Sequence, residues 1–176
     1  MDVEMHIQEV IKTINQMQAD GVIECYAIGG AVGATFYLEP VATLDVDIFI
    51  TLKPEAGRLI VSPQPIFDHL RTRGCTMEGE HIVIAGWPVQ FLPPTGPLVA
   101  EALDKAVEKD VAGTPARVFT AEHLAAIALQ TGRAKDKARL LQFIEEGALD
   151  VTRFQALLAR HGLAEAWKRF ELQFLQ

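Results

Sequence analysis

Apolar positions recur along the chain in two periods, and the switches between them divide it into elements. Val3, Ile7, Val10, Ile11, Ile14 and Met17 fall at helical spacing, which predicts an amphipathic helix over residues 2–19 with a stop at Gly21. Ile23 to Ile28 is a short apolar strand, followed by a Gly29-Gly30 turn and a helix over Ala31–Leu38 that Pro40 ends. From Asp45 to Leu52 the period becomes two. Val46, Ile48, Ile50 and Leu52 then share one face of a strand, and Asp45, Asp47, Phe49 and Thr51 the other.

Residues 53–65 read as a loop and Ile66–Arg73 as a helix closed by Gly74, with His69, Arg71 and Arg73 on a solvated face. Cys75–Met77, His81–Ala85 and Trp87–Leu92 are strand material, and Pro93-Pro94 terminates the last of them. A further amphipathic helix is expected over Val99–Glu108, then a strand at Ala116–Phe119. Thr120 is a good N-cap with His123 three residues on, so His123 reads as a capping or packing residue.

After Thr120 only helical patterns remain. In a helix from Ala134, Leu140, Leu141 and Ile144 form the apolar stripe, continued towards the N-terminus by Arg133, Asp136 and Lys137; Lys135 falls opposite and Arg139 on the flank. Asp150–Arg160 and Leu163–Leu175 complete the series around His161-Gly162, with Trp167, Phe170 and Phe174 for packing. The expected architecture is an α/β (α+β) fold, a small mixed β-sheet flanked by helices over residues 1–119. A C-terminal bundle of four helices follows over 120–176.

Composition narrows the function. The chain has 176 residues, 49% apolar and 22% charged, enough for a substantial core and unlike a disordered protein. A net charge of −7 argues against a generally basic nucleic-acid-binding surface, though not against a local basic patch. The two cysteines, Cys25 and Cys75, have no metal-binding spacing and are expected as reduced thiols in a cytoplasmic protein. No apolar run is long enough for a membrane span, and the N-terminus lacks a basic region before an apolar one.

The candidate chemistry gathers at the fourth of these elements. Asp45 and Asp47 on one strand face stand ~6.5 Å apart along the backbone. Two anions so placed repel unless a cation lies between them, and hard oxygen ligands suit Mg²⁺, which takes one or two carboxylates plus substrate phosphates. A solvated strand end is the alternative for an isolated pair. The Gly29-Gly30 turn upstream changes that balance, because glycines let the backbone approach a phosphate closely.

Ile28-Gly29-Gly30, a helix, then Asp45-Val46-Asp47 on a strand resembles the signature of the DNA polymerase β-like nucleotidyltransferase superfamily. Within it the chain looks most like small bacterial proteins related to abortive-infection and toxin–antitoxin nucleotidyltransferases. The resemblance implies a nucleotidyltransferase fold whose glycine turn, Gly29 and Gly30, holds a nucleoside triphosphate. It implies that Asp45 and Asp47 bind the divalent metals, Mg²⁺ or Mn²⁺, for transfer of a nucleoside monophosphate to a hydroxyl acceptor on a nucleic acid, a protein or a small molecule.

Gly132-Arg-x-Lys-Asp-x-x-Arg139 is similar to the C-terminal part of the same small proteins, where the lysine and aspartate lie near the nucleotide. Arg133, Lys135, Asp136 and Arg139 become nucleotide-binding candidates on that ground. Periodicity puts Lys135 outside, so the two readings disagree unless the helix begins after Lys135. The chain departs from the family at the third carboxylate, which belongs on a later strand beside the aspartate pair. Val89-Gln90-Phe91 supplies the matching context, so Gln90 joins Asp45 and Asp47 as the third catalytic position but brings no charge. Either Glu78, Glu80 or another acid substitutes, or the protein binds nucleotide and metal and transfers poorly, as a nucleotide sensor or with a protein partner in a two-protein module.

Overall fold

The computed structural model describes residues 2–40, 45–53 and 62–176. Helix α1 (Asp2–Ala19) leads into β1 (Cys25–Gly29), the short α2 (Gly30–Ala34) and β2 (Val46–Thr51). Then come α3 (Gln64–Thr72), β3 (Thr76–Glu78), β4 (His81–Ile84), β5 (Trp87–Leu92) and α4 (Pro97–Asp104). A hairpin of β6 (Val107–Val111) and β7 (Thr114–Val118) precedes α5 (Ala121–Thr131), α6 (Ala134–Glu145), α7 (Val151–Arg160) and α8 (Ala164–Phe174).

The strands form one mixed sheet in the order β3-β4-β5-β2-β1-β7-β6. β1 runs antiparallel to β2 and parallel to β7, and β2 runs parallel to β5. Alternation along β2 holds as expected: Val46, Ile48 and Ile50 are buried, while Asp47, Phe49 and Thr51 are half-buried. The first set joins Val10, Ile11, Ile14 and Met17 of α1 and Ile66 and Leu70 of α3 in a core on one face of the sheet. On the other face Ala27, Phe119 and buried residues of α4 to α8 form a second core. The mixed sheet, its flanking helices and the four C-terminal helices are thus as the periodicity indicates.

Several boundaries differ. The helix after the glycine turn begins at Gly30 and ends at Ala34, because the chain tightens: Phe36 and Tyr37 donate to the carbonyls of Gly33 and Ala34, and Thr35 Oγ1 donates to Val32 O. Of the loop expected over 53–65, residues 54–61 lie outside the described residues. Gln64 and Pro65 belong to α3, since proline is well tolerated in a first helical turn.

The helix expected over Val99–Glu108 runs from Pro97 to Asp104 only. Val107 to Val111 is instead a strand, paired with β7 around Ala112 and Gly113, both at positive φ. Its charged residues disguised a period of two, with Glu108 and Asp110 pointing out and Val111 in. In α6 the buried stripe is Asp136, Leu140 and Phe143, whereas Leu141 and Ile144 are only half-buried.

Phe143 is fully buried at the junction of α6 with the second core. Phe143→Ala is expected to destabilise the protein by about 3–5 kcal/mol, read from equilibrium urea denaturation.

Candidate functional site

The glycine turn and the aspartates meet because β1 and β2 are neighbours. Gly29 is level with Asp47, and Asp47 is level with Gln90 on the other side, so the three lie in one row across the sheet. Gly30 has φ +58°, a conformation that glycine adopts without strain. A Cβ at Gly29 would stand 2.6 Å from the Phe49 ring, and one at Gly30 would collide with Asp47 Oδ2. A side chain at Gly29 would have to displace the Phe49 ring, and one at Gly30 the Asp47 carboxylate.

The other wall is α6. Gly132 closes α5 in the left-handed conformation, and Arg133 is the N-cap of α6. Asp136, 2% exposed, accepts from the backbone N–H of Arg133 at 3.2 Å and from its Nε at 2.7 Å. Arg133 Nη2 donates to the second oxygen of Asp136 at 3.3 Å, and Arg139 Nη1 lies 3.9 Å from it. One buried carboxylate thus ties two guanidinium groups to the start of the helix.

Lys135, Ala138, Arg139 and Gln142 follow at i, i+3, i+4 and i+7, forming a second face of α6 beside its buried stripe. That face looks onto a cleft of about 450 Å³ lined also by Gly30, Asp45 and Asp47. The helix begins before Lys135, yet Lys135 faces the cleft, which corrects the periodicity reading. Lys137, expected along the charged stripe, lies over the Phe174 ring instead, 5.9 Å from its centroid.

A second cavity of about 320 Å³ shares Gly30, Asp47, Arg133 and Arg139 with the first. Its remaining walls are largely apolar, including Phe49 and Phe119, whose rings stand 4.9 Å apart, with Gln90 among the uncharged polar groups. Sequence periodicity gave no signal for this cavity, since its walls come from distant segments.

Burial raises the pKa of Asp47, and the neighbouring Asp45 raises it further; Lys135, Arg139 and His81 oppose the shift. Burial likewise pulls Arg139 down despite the attraction of Asp136 and Asp47, while its hydrogen bonds to Asp136 push Arg133 up. His81, singled out only as strand material, reaches this site: its Nε2 lies 3.4 Å from Asp45 Oδ2. Glu78 and Glu80 are exposed on the β3–β4 hairpin and line neither cavity. Among the described residues no three His, Cys, Asp or Glu side chains are gathered as a preassembled metal centre.

His123 lies elsewhere. Its Nδ1 is 2.7 Å from Thr120 Oγ1 and its Nε2 2.8 Å from Glu101, which also accepts from Arg160. Thr120 caps α5, and His123, inside its first turn, supports that cap and ties α5 to α4. Cys25 and Cys75 are free and half-buried, with Cys25 Sγ 2.9 Å from Thr51 Oγ1.

No protein-family description matches the sequence, and no curated protein matches it. Solved structures do resemble it. An antigenic nucleotidyltransferase-like protein from Paracoccidioides brasiliensis aligns with a TM-score of 0.57 at 15% identity, over 93% of this chain and 92% of the other. The antibiotic-resistance factor ANT(2'')-Ia aligns with a TM-score of 0.54 at 15% identity, over 98% and 99%. The chain therefore has the nucleotidyltransferase fold over nearly its whole length. Among the described residues no helix is long and apolar enough to cross a membrane.

A carboxyl whose pKa is raised in the folded protein opposes folding above that raised value, and the opposition vanishes as pH falls below the ordinary value of 3.8. Asp47→Asn is therefore expected to raise Tm at neutral pH, by about 2–4 °C for each kcal/mol relieved, with the gain shrinking towards about pH 4 in thermal melts. Gly30→Ala is expected to lower Tm, because it must displace Asp47 and strain the turn.

Proposed function

We propose that the protein is a metal-dependent nucleotidyltransferase that moves a nucleoside monophosphate from a nucleoside triphosphate to a hydroxyl acceptor. The observation that carries this reading is the cleft in which the glycine turn, Asp45 and Asp47 face Lys135, Arg139 and Arg133. Carboxylates alone would repel a triphosphate, and cations alone would leave no place for its metal. Together they match a metal–triphosphate complex.

The donor set fits Mg²⁺ or Mn²⁺. Asp45 and Asp47 would hold the ion, and substrate phosphates would supply further oxygens. When bound, the ion supplies neutralisation of the phosphate charge and of the departing pyrophosphate. The chain's own groups do the rest. The backbone of Gly29 and Gly30 lies against the phosphates, Lys135 and Arg139 attract them, and Asp136 keeps the Arg133 fork oriented.

The acceptor hydroxyl oxygen forms its bond to the α-phosphorus as the bond from that phosphorus to pyrophosphate breaks, and its proton leaves to solvent water. The second cavity shares Asp47, Arg133 and Arg139 with the cleft, and its apolar remainder, including Phe49 and Phe119, would accept a base or an acceptor. The division of labour follows the chain: residues 1–119 would carry metal and glycine turn, and 120–176 the basic clamp. Resemblance to the small bacterial abortive-infection and toxin–antitoxin proteins supports a cytoplasmic setting, as do the free thiols.

One observation favours a second reading. Gln90 stands level with Asp47, where a third carboxylate would be expected, and an amide neither binds a catalytic metal strongly nor takes a proton from an acceptor. A protein so built would sense nucleotide, alone or with a protein partner, rather than turn it over.

Calorimetric titration of each nucleoside triphosphate with Mg²⁺ or Mn²⁺, with a parallel assay for pyrophosphate release, tests both readings. Wild type is expected to bind one or more of them, and Asp47→Asn to weaken binding about tenfold or more, as loss of a charged contact should. Asp45→Asn and Asp47→Asn that keep full metal-dependent activity would sink the proposal. A silent wild type that gains release on Gln90→Asp would decide for the sensor.

A further inference from the structure

β4 is separated from β2 by a whole strand, yet its first residue, His81, reaches Asp45 at the edge of the cleft. Ile82 is level with Val89, and Val89 with Val46. Carrying that antiparallel register one residue further brings His81 level with Gln90. The functional row across the sheet therefore runs His81, Gln90, Asp47, Gly29. On β4 the alternation buries Ile82 and Ile84 in the α1–α3 core, leaving His81 on the opposite, cleft-bearing face.

Among the described residues four side-chain nitrogens are buried without a hydrogen-bond partner, and His81 Nε2 is the one beside Asp45. The atom is enclosed by protein and has no hydrogen-bond partner, although it lies 3.4 Å from Asp45 Oδ2. A buried polar nitrogen without a partner is costly and asks for a ligand. Two donors about 2.1 Å from one octahedral cation, at right angles to it, stand ~3.0 Å apart. The observed gap is close to that, so Asp45 and His81 need only a small adjustment to share an ion. Asp45 is 47% exposed and lines the cleft. Asp47 lines the same cleft.

We infer that His81 joins Asp45 and Asp47 as a ligand of the divalent cation, taking over the role that Gln90 leaves vacant one strand away. This rests on the nucleotidyltransferase reading of the cleft. Its chemical consequence is specific. Mg²⁺ demands oxygen donors and close to ideal geometry, whereas imidazole suits transition ions, so the site prefers Mn²⁺ over Mg²⁺. The three side chains are not gathered beforehand; cation and triphosphate together draw them in.

The test uses the full chain with Mn²⁺ or Mg²⁺ and inorganic tripolyphosphate as the probe, read by metal titration and by pulsed electron paramagnetic resonance of bound Mn²⁺. Wild type is expected to show coupling to an imidazole nitrogen. His81→Ala should lose that coupling and bind Mn²⁺ about tenfold or more weakly, with far less change for Mg²⁺. His81→Asp, which restores a carboxylate to the row, should move the preference back towards Mg²⁺, and thermal melts of both variants verify folding. If Asp47→Asn abolishes binding while His81→Ala keeps the nitrogen coupling and the Mn²⁺-to-Mg²⁺ ratio, His81 is not a ligand and the nucleotidyltransferase reading stands. If wild type binds neither ion with or without tripolyphosphate, both fall.

Discussion

A carboxylate held partly out of water beside a second carboxylate is the constraint around which the structure is arranged. Asp47 cannot leave that position, since its strand is paired on both sides and its neighbours Val46 and Ile48 are locked in a core. Everything near it yields to that placement. The turn opposite is made of glycines because Asp47 Oδ2 occupies the space of a side chain at residue 30. The helix opposite brings Lys135 and Arg139, whose positive charge opposes the upward shift without cancelling it. The residual strain is electrostatic, and perturbation of this kind marks a candidate functional site.

The same logic explains a buried aspartate in a helix that otherwise presents Leu140 and Phe143 to the core. Asp136 is costly to bury, and it is tolerated because a guanidinium and a backbone N–H satisfy it. Its burial fixes where the positive charge of α6 can point. Arg133, the N-cap, is tethered to Asp136, Arg139 is half-buried behind it, and Lys135 lines the cleft. The two cavities then meet at a wall of shared charged residues, and the second adds apolar walls on the far side of Asp47.

The sequence made the heart of this arrangement legible and left its surroundings obscure. Alternation from Val46 to Thr51 puts Asp47 on the cleft face whatever the rest of the chain does, and the glycine pair declares a turn locally. Gln90 beside Asp47 was also readable, through resemblance and then through register. Lys135 was misplaced because α6 has two working faces, about one residue's rotation apart, and a single apolar stripe cannot reveal the second. The approach of His81 to Asp45 was invisible because it depends on two successive strand pairings, which no local pattern encodes. β6 was lost for a simpler reason: charged residues in a hairpin strand imitate the outer face of a helix.

Those charges have a further meaning. The sheet ends on one side in β3, only three residues long, and on the other in β6, which carries Glu108, Lys109 and Asp110. Open strand edges invite other chains to pair with them, and shortness and charge are the usual deterrents. Both rims of this sheet are therefore poor templates for strand addition, which keeps the molecule from pairing edge to edge with copies of itself.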